Sequence, residues 1–247
     1  MPIFLALAFF VVALLYAAVG FGGGSTYAAL LATSDLDYRV LPLVVLVCNI
    51  IVVSGGSIRF ARSGVTPWRK ALLLTALAAP AALIGGLTPI DRDNFVLLLG
   101  ASLILTGITM LIPVKEEHEA SPAKFARFLP VAAAPLGYLA GLVGIGGGIF
   151  LAPLLHLTRW NNARAIAATA SLFILVNSLF GLTGHLLKRG VGEFGGAIAG
   201  SLPLLLAVAV GGQIGSLMAV KFLPKRWIRW LTAALVMAVG LRLLTAV

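Results

Sequence analysis

Apolar residues occur along this chain in long uninterrupted runs, and polar residues, glycine and proline are concentrated in short segments between them. Runs of this length are typical of buried or membrane-embedded helices, whereas half-buried strands alternate over shorter stretches. The predicted fold is all-α. The ten predicted helices are Pro2–Val19, Ser25–Thr33, Val40–Ile58, Trp68–Leu87, Asn94–Ile112, Phe128–Val143, Ile149–Leu157, Ala163–Leu187, Phe194–Val220 and Trp227–Ala246.

Two of these helices, Ser25–Thr33 and Ile149–Leu157, are too short to cross a bilayer. At this length a helix extends about 14 Å, roughly half of a ~30 Å hydrocarbon core. Each suits the returning arm of a re-entrant or broken helical hairpin. A polar linker at residues 114–126 separates a first membrane repeat, 1–113, from a second, 127–247, and each repeat is predicted to hold one hairpin and three transmembrane helices.

The composition places these helices in a membrane. Of 247 residues, 60% are hydrophobic and 11% are charged, and the mean hydropathy is +1.07. A soluble core of this size cannot bury so much apolar surface, so we predict a polytopic membrane protein. No Lys or Arg precedes the first run, which also exceeds a signal-peptide core in length, and we interpret it as a retained helix.

Two glycine-rich turns, Gly20–Gly24 and Gly144–Gly148, precede the two short helices. Aligned at an offset of 124, residues 19–31 and 143–155 share 8 of 13 identities. Weaker matches continue through the chain, with Arg39 opposite Arg164 and glycine pairs at slowly growing offsets. The order of elements is kept, which indicates an internal duplication.

The net charge of +10 arises from Lys and Arg that lie mainly in the connections, where they set topology and contact lipid headgroups rather than nucleic acid. With three crossings after each hairpin, the repeats are inverted and 13 Lys or Arg lie on the linker side against 5 on the other. Parallel repeats of four crossings would give 10 against 8. Cytoplasmic loops carry more Lys and Arg, so the count predicts inverted repeats and a cytoplasmic linker 114–126. The pair Lys188-Arg189 fits this rule least well.

Consecutive glycines at a helix start allow close backbone approach and direct several N–H groups at one point, with the helix dipole adding roughly half a positive charge. In inverted repeats, two such helix starts could converge on one anion near mid-membrane without a buried arginine. Close helix packing is the alternative explanation of the glycines. The candidate residues of the two turns are Gly22, Gly23, Gly24 and Ser25 in the first and Gly146, Gly147, Gly148 and Ile149 in the second.

Polar residues inside the long helices are further candidates. Asn49 and Asn177 could bond to a substrate oxygen or join helices, and for Thr169 and Ser171 joining helices is the stronger interpretation. Arg59 and His185 correspond at an offset of 126. They could gate anions at the two mouths or serve as interfacial anchors.

Other site classes lack their residues. All eight carboxylates fall in or beside predicted connections, which disfavours a cation or metal site within the membrane. With Cys48 alone, an intrachain disulfide is excluded. The chain shows no catalytic triad, no nucleotide-binding motif and no feature requiring a cofactor, so we expect neither an enzyme nor a nucleic-acid partner.

The two glycine turns, residues 19–25 and 141–153, together with the duplicated layout, resemble the TauE/SafE sulfite exporter family. The second copy is the more similar, including Pro153 and residues 168–172, and the first has Ala29 at the position of that proline. The resemblance implies a permease of a bacterial-type inner membrane that moves sulfite, sulfonates or related sulfur-containing anions. A membrane assembly protein and a divalent-cation permease are the alternatives, and the sequence leaves homo-oligomerisation open.

Overall fold

The computed structural model describes residues 3–18, 20–34, 36–111, 124–218 and 225–245. A 3-10 turn at Lys124–Phe128 precedes the sixth helix. The helices in chain order are α1 Ile3–Ala18, α2 Gly24–Ala32, α3 Leu41–Arg62, α4 Trp68–Leu87, α5 Arg92–Leu111, α6 Leu129–Val143, α7 Gly148–Leu157, α8 Ala163–Arg189, α9 Val191–Met218 and α10 Lys225–Leu244.

All ten predicted helices are present, with described ends that differ from the prediction by up to four residues, and α9 begins at Val191 rather than Phe194. Helix α3 continues to Arg62 and helix α8 to Arg189, beyond the ends predicted from charge. Basic residues stabilise the last turn of a helix, so they do not end it. Only Gly190, with φ 85°, separates α8 from α9. Most of the predicted linker 114–126 lies outside the described residues.

Six helical segments have the length and apolar composition needed to cross a membrane: Leu41–Arg62, Trp68–Leu87, Arg92–Leu111, Ala126–Val143, Ala163–Arg189 and Phe194–Leu217. Shorter apolar helices occur at Ile3–Ala18, Gly148–Leu157 and Ala233–Leu244. The prediction of an all-α polytopic membrane protein is confirmed. The first arm of the second hairpin, with its 3-10 turn, is long enough to span, which the sequence pattern did not indicate.

The principal helix contacts are reciprocal between α1–α5 and α6–α10. Helix α1 packs on α9 as α6 packs on α4, and α3 packs on α9 as α8 packs on α4. The counterparts α3 and α8 pack on each other, and so do α5 and α10. Two similar units related by a two-fold axis give this pattern of contacts.

Counterpart helices also run antiparallel. The start of α3 lies beside the end of α8, where Leu46 contacts Gly181, and the end of α3 lies beside the start of α8, where Ser57 bonds to Ser171. Helices α5 and α10 pair in the same sense, because Gly100 lies against Leu244. Glycines at these crossings allow the backbones to approach closely.

Helix α2 is held in the protein interior by contacts with α1. The ring of Tyr27 stacks on Phe9 with centroids 4.7 Å apart, and the hydroxyls of Thr26 and Tyr16 are 2.9 Å apart. Helix α7 is buried instead against α8 and α6, where Leu151 and Leu155 lie in one hydrophobic cluster with Phe173. Both short helices therefore have fixed positions, and so do the turns that precede them.

Gly141 tests the packing role of glycine away from the turns. A Cβ on Gly141 would overlap the backbone of Ala82, so we expect Gly141→Leu to lower the free energy of unfolding by about 3 kcal/mol or more, the upper range for overpacking. In the control Gly200→Leu, the added Cβ has no neighbour within 4 Å in the described part of the chain, and stability is retained. Thermal unfolding in detergent measures the difference; equal losses in both variants would contradict the packing seen here.

Candidate functional site

The two glycine turns end in helix starts without side-chain caps. Gly23 and Gly147 are the N-cap residues of α2 and α7, both left-handed with φ 80° and 75°, and neither cap is made by a side chain. By contrast, Asn162 caps α8 by accepting from the N–H of Ala165 at 2.9 Å. The first N–H groups of a helix have no partner within the helix, so both short helices direct free donors and a positive dipole end out of their starts.

The two turns meet inside the protein. Gly24, the first residue of α2, lies so close to the carbonyl oxygen of Ile145 in the second turn that a Cβ there would overlap it. Nδ2 of Asn49 on α3 donates to the same oxygen at 3.0 Å. Asn49 thus connects α3 to the second turn. Residues of both turns are buried.

The surroundings of the turns are similar but not identical. A Cβ on Gly22 would lie 2.6 Å from Asn49 Oδ1 and 3.2 Å from Val53 and Ile174. A Cβ on Gly146 would lie 2.8 Å from Asn49 Nδ2, 2.9 Å from Ser178 Oγ and 3.0 Å from Ile174. Within its own half of the chain, each turn therefore faces one polar side chain, Asn49 or Ser178, and one apolar side chain, Val53 or Ile174.

The helix positions that face the two turns are related by one offset. Asn49 and Ile174 differ by 125 in residue number, and so do Val53 and Ser178. Ile174, Asn177 and Ser178 share one face of α8 because residues three and four apart are neighbours on a helix.

Several buried polar atoms at the turns and on the adjoining face of α8 have no hydrogen-bond partner in the described part of the chain. Asn49 Oδ1, Ser178 Oγ and Ser25 Oγ belong to the turns and their neighbours, both amide atoms of Asn177 lie one residue before Ser178 on α8, and each of these residues is at most 1% exposed. Such atoms each cost about 1–3 kcal/mol when left unpaired, and native proteins rarely keep them without a reason. A polar ligand or water at the turns would satisfy them.

The two short helices differ in the side chains of their first turns. Ser25 is buried with its hydroxyl near the start of α2, whereas its counterpart Ile149 is partly exposed and packs in the core around α1, α3 and α5. The hydroxyl can donate to an anion oxygen and the isoleucine cannot. The two arms therefore offer different groups to a ligand.

Thr169 and Ser171 have partners within the protein. Thr169 Oγ1 donates to the carbonyl oxygen of Ala165 in its own helix at 2.8 Å. Ser171 Oγ is 2.9 Å from Ser57 Oγ and 3.4 Å from the carbonyl oxygen of Val53, so it links α8 to α3. These bonds favour the structural interpretation of both hydroxyls.

Arg59 and His185 lie in different environments. Nη2 of Arg59 donates to Gln213 at 3.4 Å and to Ser216, linking the end of α3 to α9. His185 is 2% exposed, and its Nε2 is 2.9 Å from the carbonyl oxygen of Gly141. Its burial places His185 between helices, which favours a packing role over a position at a mouth.

Ser178 is a candidate that the sequence pattern did not single out. It lies beside Asn177 in a run of apolar and small residues, and its position four residues after Ile174 becomes meaningful only when α8 is seen against the second turn. No local pattern gives this contact between α8 and the turn before α7, so the sequence offered no signal for Ser178.

Removing the Asn49 side chain separates the two turns. In Asn49→Ala, the carbonyl oxygen of Ile145 loses its donor, so we expect the free energy of unfolding to fall by about 1–3 kcal/mol and transport to be lost. The matched control is Ser57→Ala, which removes one interhelical hydroxyl contact of α3 away from the turns. Chemical unfolding and transport measured on the same preparations distinguish the variants, and full transport by Asn49→Ala would contradict this bridging role.

Comparison with known proteins identifies the family. The profile of the sulfite exporter TauE/SafE family matches residues 5–243. The chain is 33% identical over 247 residues to the "Probable membrane transporter protein y4hK" of Sinorhizobium fredii, covering 97% of each chain. It is 26% identical over 234 residues to a "Probable membrane transporter protein" of Methanocaldococcus jannaschii, covering 87% of this chain and 84% of the relative.

A third relative, the "Probable membrane transporter protein YunE" of Bacillus subtilis, is 20% identical over 226 residues, covering 80% of this chain and 81% of its own length. No solved structure gives a significant match. The family profile spans both glycine turns and all ten helices. The chain therefore belongs to the TauE/SafE sulfite exporter family, and it is a multi-pass membrane transporter.

Proposed function

We propose that this transporter carries sulfur-containing oxyanions, such as sulfite or organosulfonates, and holds the anion where the two glycine turns meet. The observation that carries the proposal is the meeting of two helix starts without side-chain caps beside buried polar atoms that lack partners among the described residues. Helix N-termini bind anions because their free N–H groups and dipoles favour negative charge. An oxyanion offers several acceptor oxygens to such donors.

Each group at the turns has a role in this account. Backbone N–H groups at the starts of α2 and α7 donate to the anion oxygens from two directions. Ser25, Asn177 and Ser178 add side-chain donors, and Ile174 closes the apolar side of the site. Asn49 Oδ1 is an acceptor and therefore suits a water molecule or a protonated ligand oxygen.

The same proposal includes two inverted repeats that rock about this site to give alternating access. Support comes from the antiparallel packing of α3 against α8 and of α5 against α10, since counterparts related by an axis in the membrane plane must run in opposite directions. The site contains residues of both repeats. Rocking one repeat against the other would therefore open the turns to alternate sides.

Export needs no intramembrane carboxylate for coupling. With the cytoplasm negative, moving one negative charge outward is favourable by about 2.3 kcal/mol per 100 mV. In this account the protein lies in an inner membrane of the bacterial type, with residues 114–126 in the cytoplasm because the basic connections lie on that side.

Reconstituted protein tests the substrate and the driving force together. We expect proteoliposomes loaded with sulfite to release it faster when the interior is made negative, and a sulfonate to compete, while chloride does not. Empty liposomes control for leakage. Release equal to that of empty liposomes, or equal release of chloride, would contradict the proposed substrate class.

A further inference from the structure

A cleft of about 220 Å³ lies away from the glycine turns, between the starts of α4 and α6. Its walls are mainly apolar, and Lys70 and Trp160 form its polar edge. The ammonium group of Lys70 lies 5.8 Å from the centroid of the Trp160 ring. The lining residues are Lys70, Leu73, Leu74, Ala126, Leu129, Pro130 and Trp160.

Three separate chain segments meet at this cleft, and all three are basic. Residues 62–74, 126–130 and 156–164 together contain six Lys or Arg and no Asp or Glu. Positive charge is therefore concentrated at the cleft, and the residues that line the cleft are mainly apolar. This combination of a cationic edge and an apolar base complements an anionic phospholipid, because basic pockets between membrane helices bind lipid headgroups.

Exposed apolar residues of α4 and α6 extend the apolar surface from the cleft along these helices. Leu73 on α4 is 52% exposed and Val131 on α6 is 73% exposed, as suits contact with acyl chains. Around the cleft edge, Trp68 is 45% exposed and the guanidinium of Arg127 lies 4.9 Å from the ring centroid of Phe128. Aromatic and basic side chains of this kind mark the membrane–water boundary.

We propose that the cleft is a binding site for an anionic phospholipid, with the headgroup phosphate at Lys70 and the acyl chains along α4 and α6. The cleft is a separate cavity from the turns, because it is lined by residues at the starts of α4 and α6 and by Trp160, whereas the turns meet beside Asn49. Helices α4 and α6 belong to opposite repeats and pack closely on each other. A lipid at their starts therefore stabilises the packing between the repeats.

The test uses delipidated, detergent-purified full-length protein with mixed micelles of phosphatidylglycerol or phosphatidylcholine. We expect phosphatidylglycerol to raise the thermal transition temperature selectively and native mass spectrometry to retain it. Lys70→Gln should weaken this binding about fivefold, the effect of one lysine near an anionic headgroup, and Lys70→Arg should preserve it. The matched control is Arg92→Gln, because Arg92 is an exposed basic residue at the start of another helix, α5.

Leu73→Glu provides a second variant at an exposed position and should repel the headgroup. Equal stabilisation by both lipids, or unchanged selectivity in Lys70→Gln and Leu73→Glu, would overturn the proposal. An equal effect of glycerol 3-phosphate alone would instead indicate a soluble phosphate ligand. If the protein prefers phosphatidylglycerol only after residues 114–121 are deleted, the linker rather than a lipid occupies the cleft in the full-length protein.

Discussion

Replacing Gly22 by alanine abolishes transport in this account, while the protein still inserts and folds. The new Cβ would lie 2.6 Å from Asn49 Oδ1, the end of a side chain that can turn away. Asn49 must then shift, and its bond to Ile145 that joins the two turns is lost or weakened. We expect at least a tenfold loss of anion affinity, equivalent to about 1.4 kcal/mol.

Gly100→Ala is the control for this variant. Its Cβ would lie 3.0 Å from the Leu244 side chain and 3.1 Å from the carbonyl oxygen of Gly240, so it crowds the contact between α5 and α10 instead of the turns. Both variants should lose about 1–3 kcal/mol of stability through overpacking. Transport per folded molecule separates them, because only Gly22→Ala affects the turns. Equal transport by the two variants would favour a packing role for the turn glycines.

Asn177→Leu should make the protein more stable and less active at once. Both amide atoms of Asn177 are buried without a partner among the described residues, so a nearly isosteric apolar side chain removes about 1–3 kcal/mol of desolvation cost. A residue kept only for packing would show the opposite change in stability. Loss of anion affinity together with a higher transition temperature is the result expected of a binding residue.

Thr169→Val controls for the loss of a buried polar group on the same helix. Its hydroxyl already bonds to Ala165, so replacing it should cost little stability and leave anion binding unchanged. Thermal unfolding and anion titration of both variants provide the comparison. Anion affinity that is unchanged in Asn177→Leu would remove Asn177 from the site.

The sequence allowed the helices to be predicted because their pattern is governed by local hydrophobicity. The bilayer requires long apolar runs, and Gly20–Gly24 and Gly144–Gly148 interrupt them where the chain turns. Helix ends were less accurate at Arg62 and Arg189, since basic residues can lie inside a last turn as well as beyond it.

The candidate site could be predicted only in part. The turns and Asn49 were identifiable because polar and glycine residues are unusual within apolar helices. Whether Asn49 reaches the opposite turn depends on the packing of α3 against α8, a long-range contact that no local pattern encodes. Ser178 became visible only through the contact of α8 with the second turn. For Thr169 and Ser171 the sequence favoured a structural role, but the partners of their hydroxyls depend on the fold.

Titration of purified protein with anions is the most direct test of the central claim. Sulfite, thiosulfate, sulfoacetate, sulfate and chloride are added to the unaltered protein and to Gly22→Ala and Gly100→Ala, and the thermal transition is followed. A ligand that binds only the folded state raises its stability by RT ln(1 + [L]/Kd). The account predicts a selective shift with a sulfur oxyanion that is kept in Gly100→Ala and lost in Gly22→Ala. The same shift in both variants, or no shift with any oxyanion, would contradict an anion site at the glycine turns.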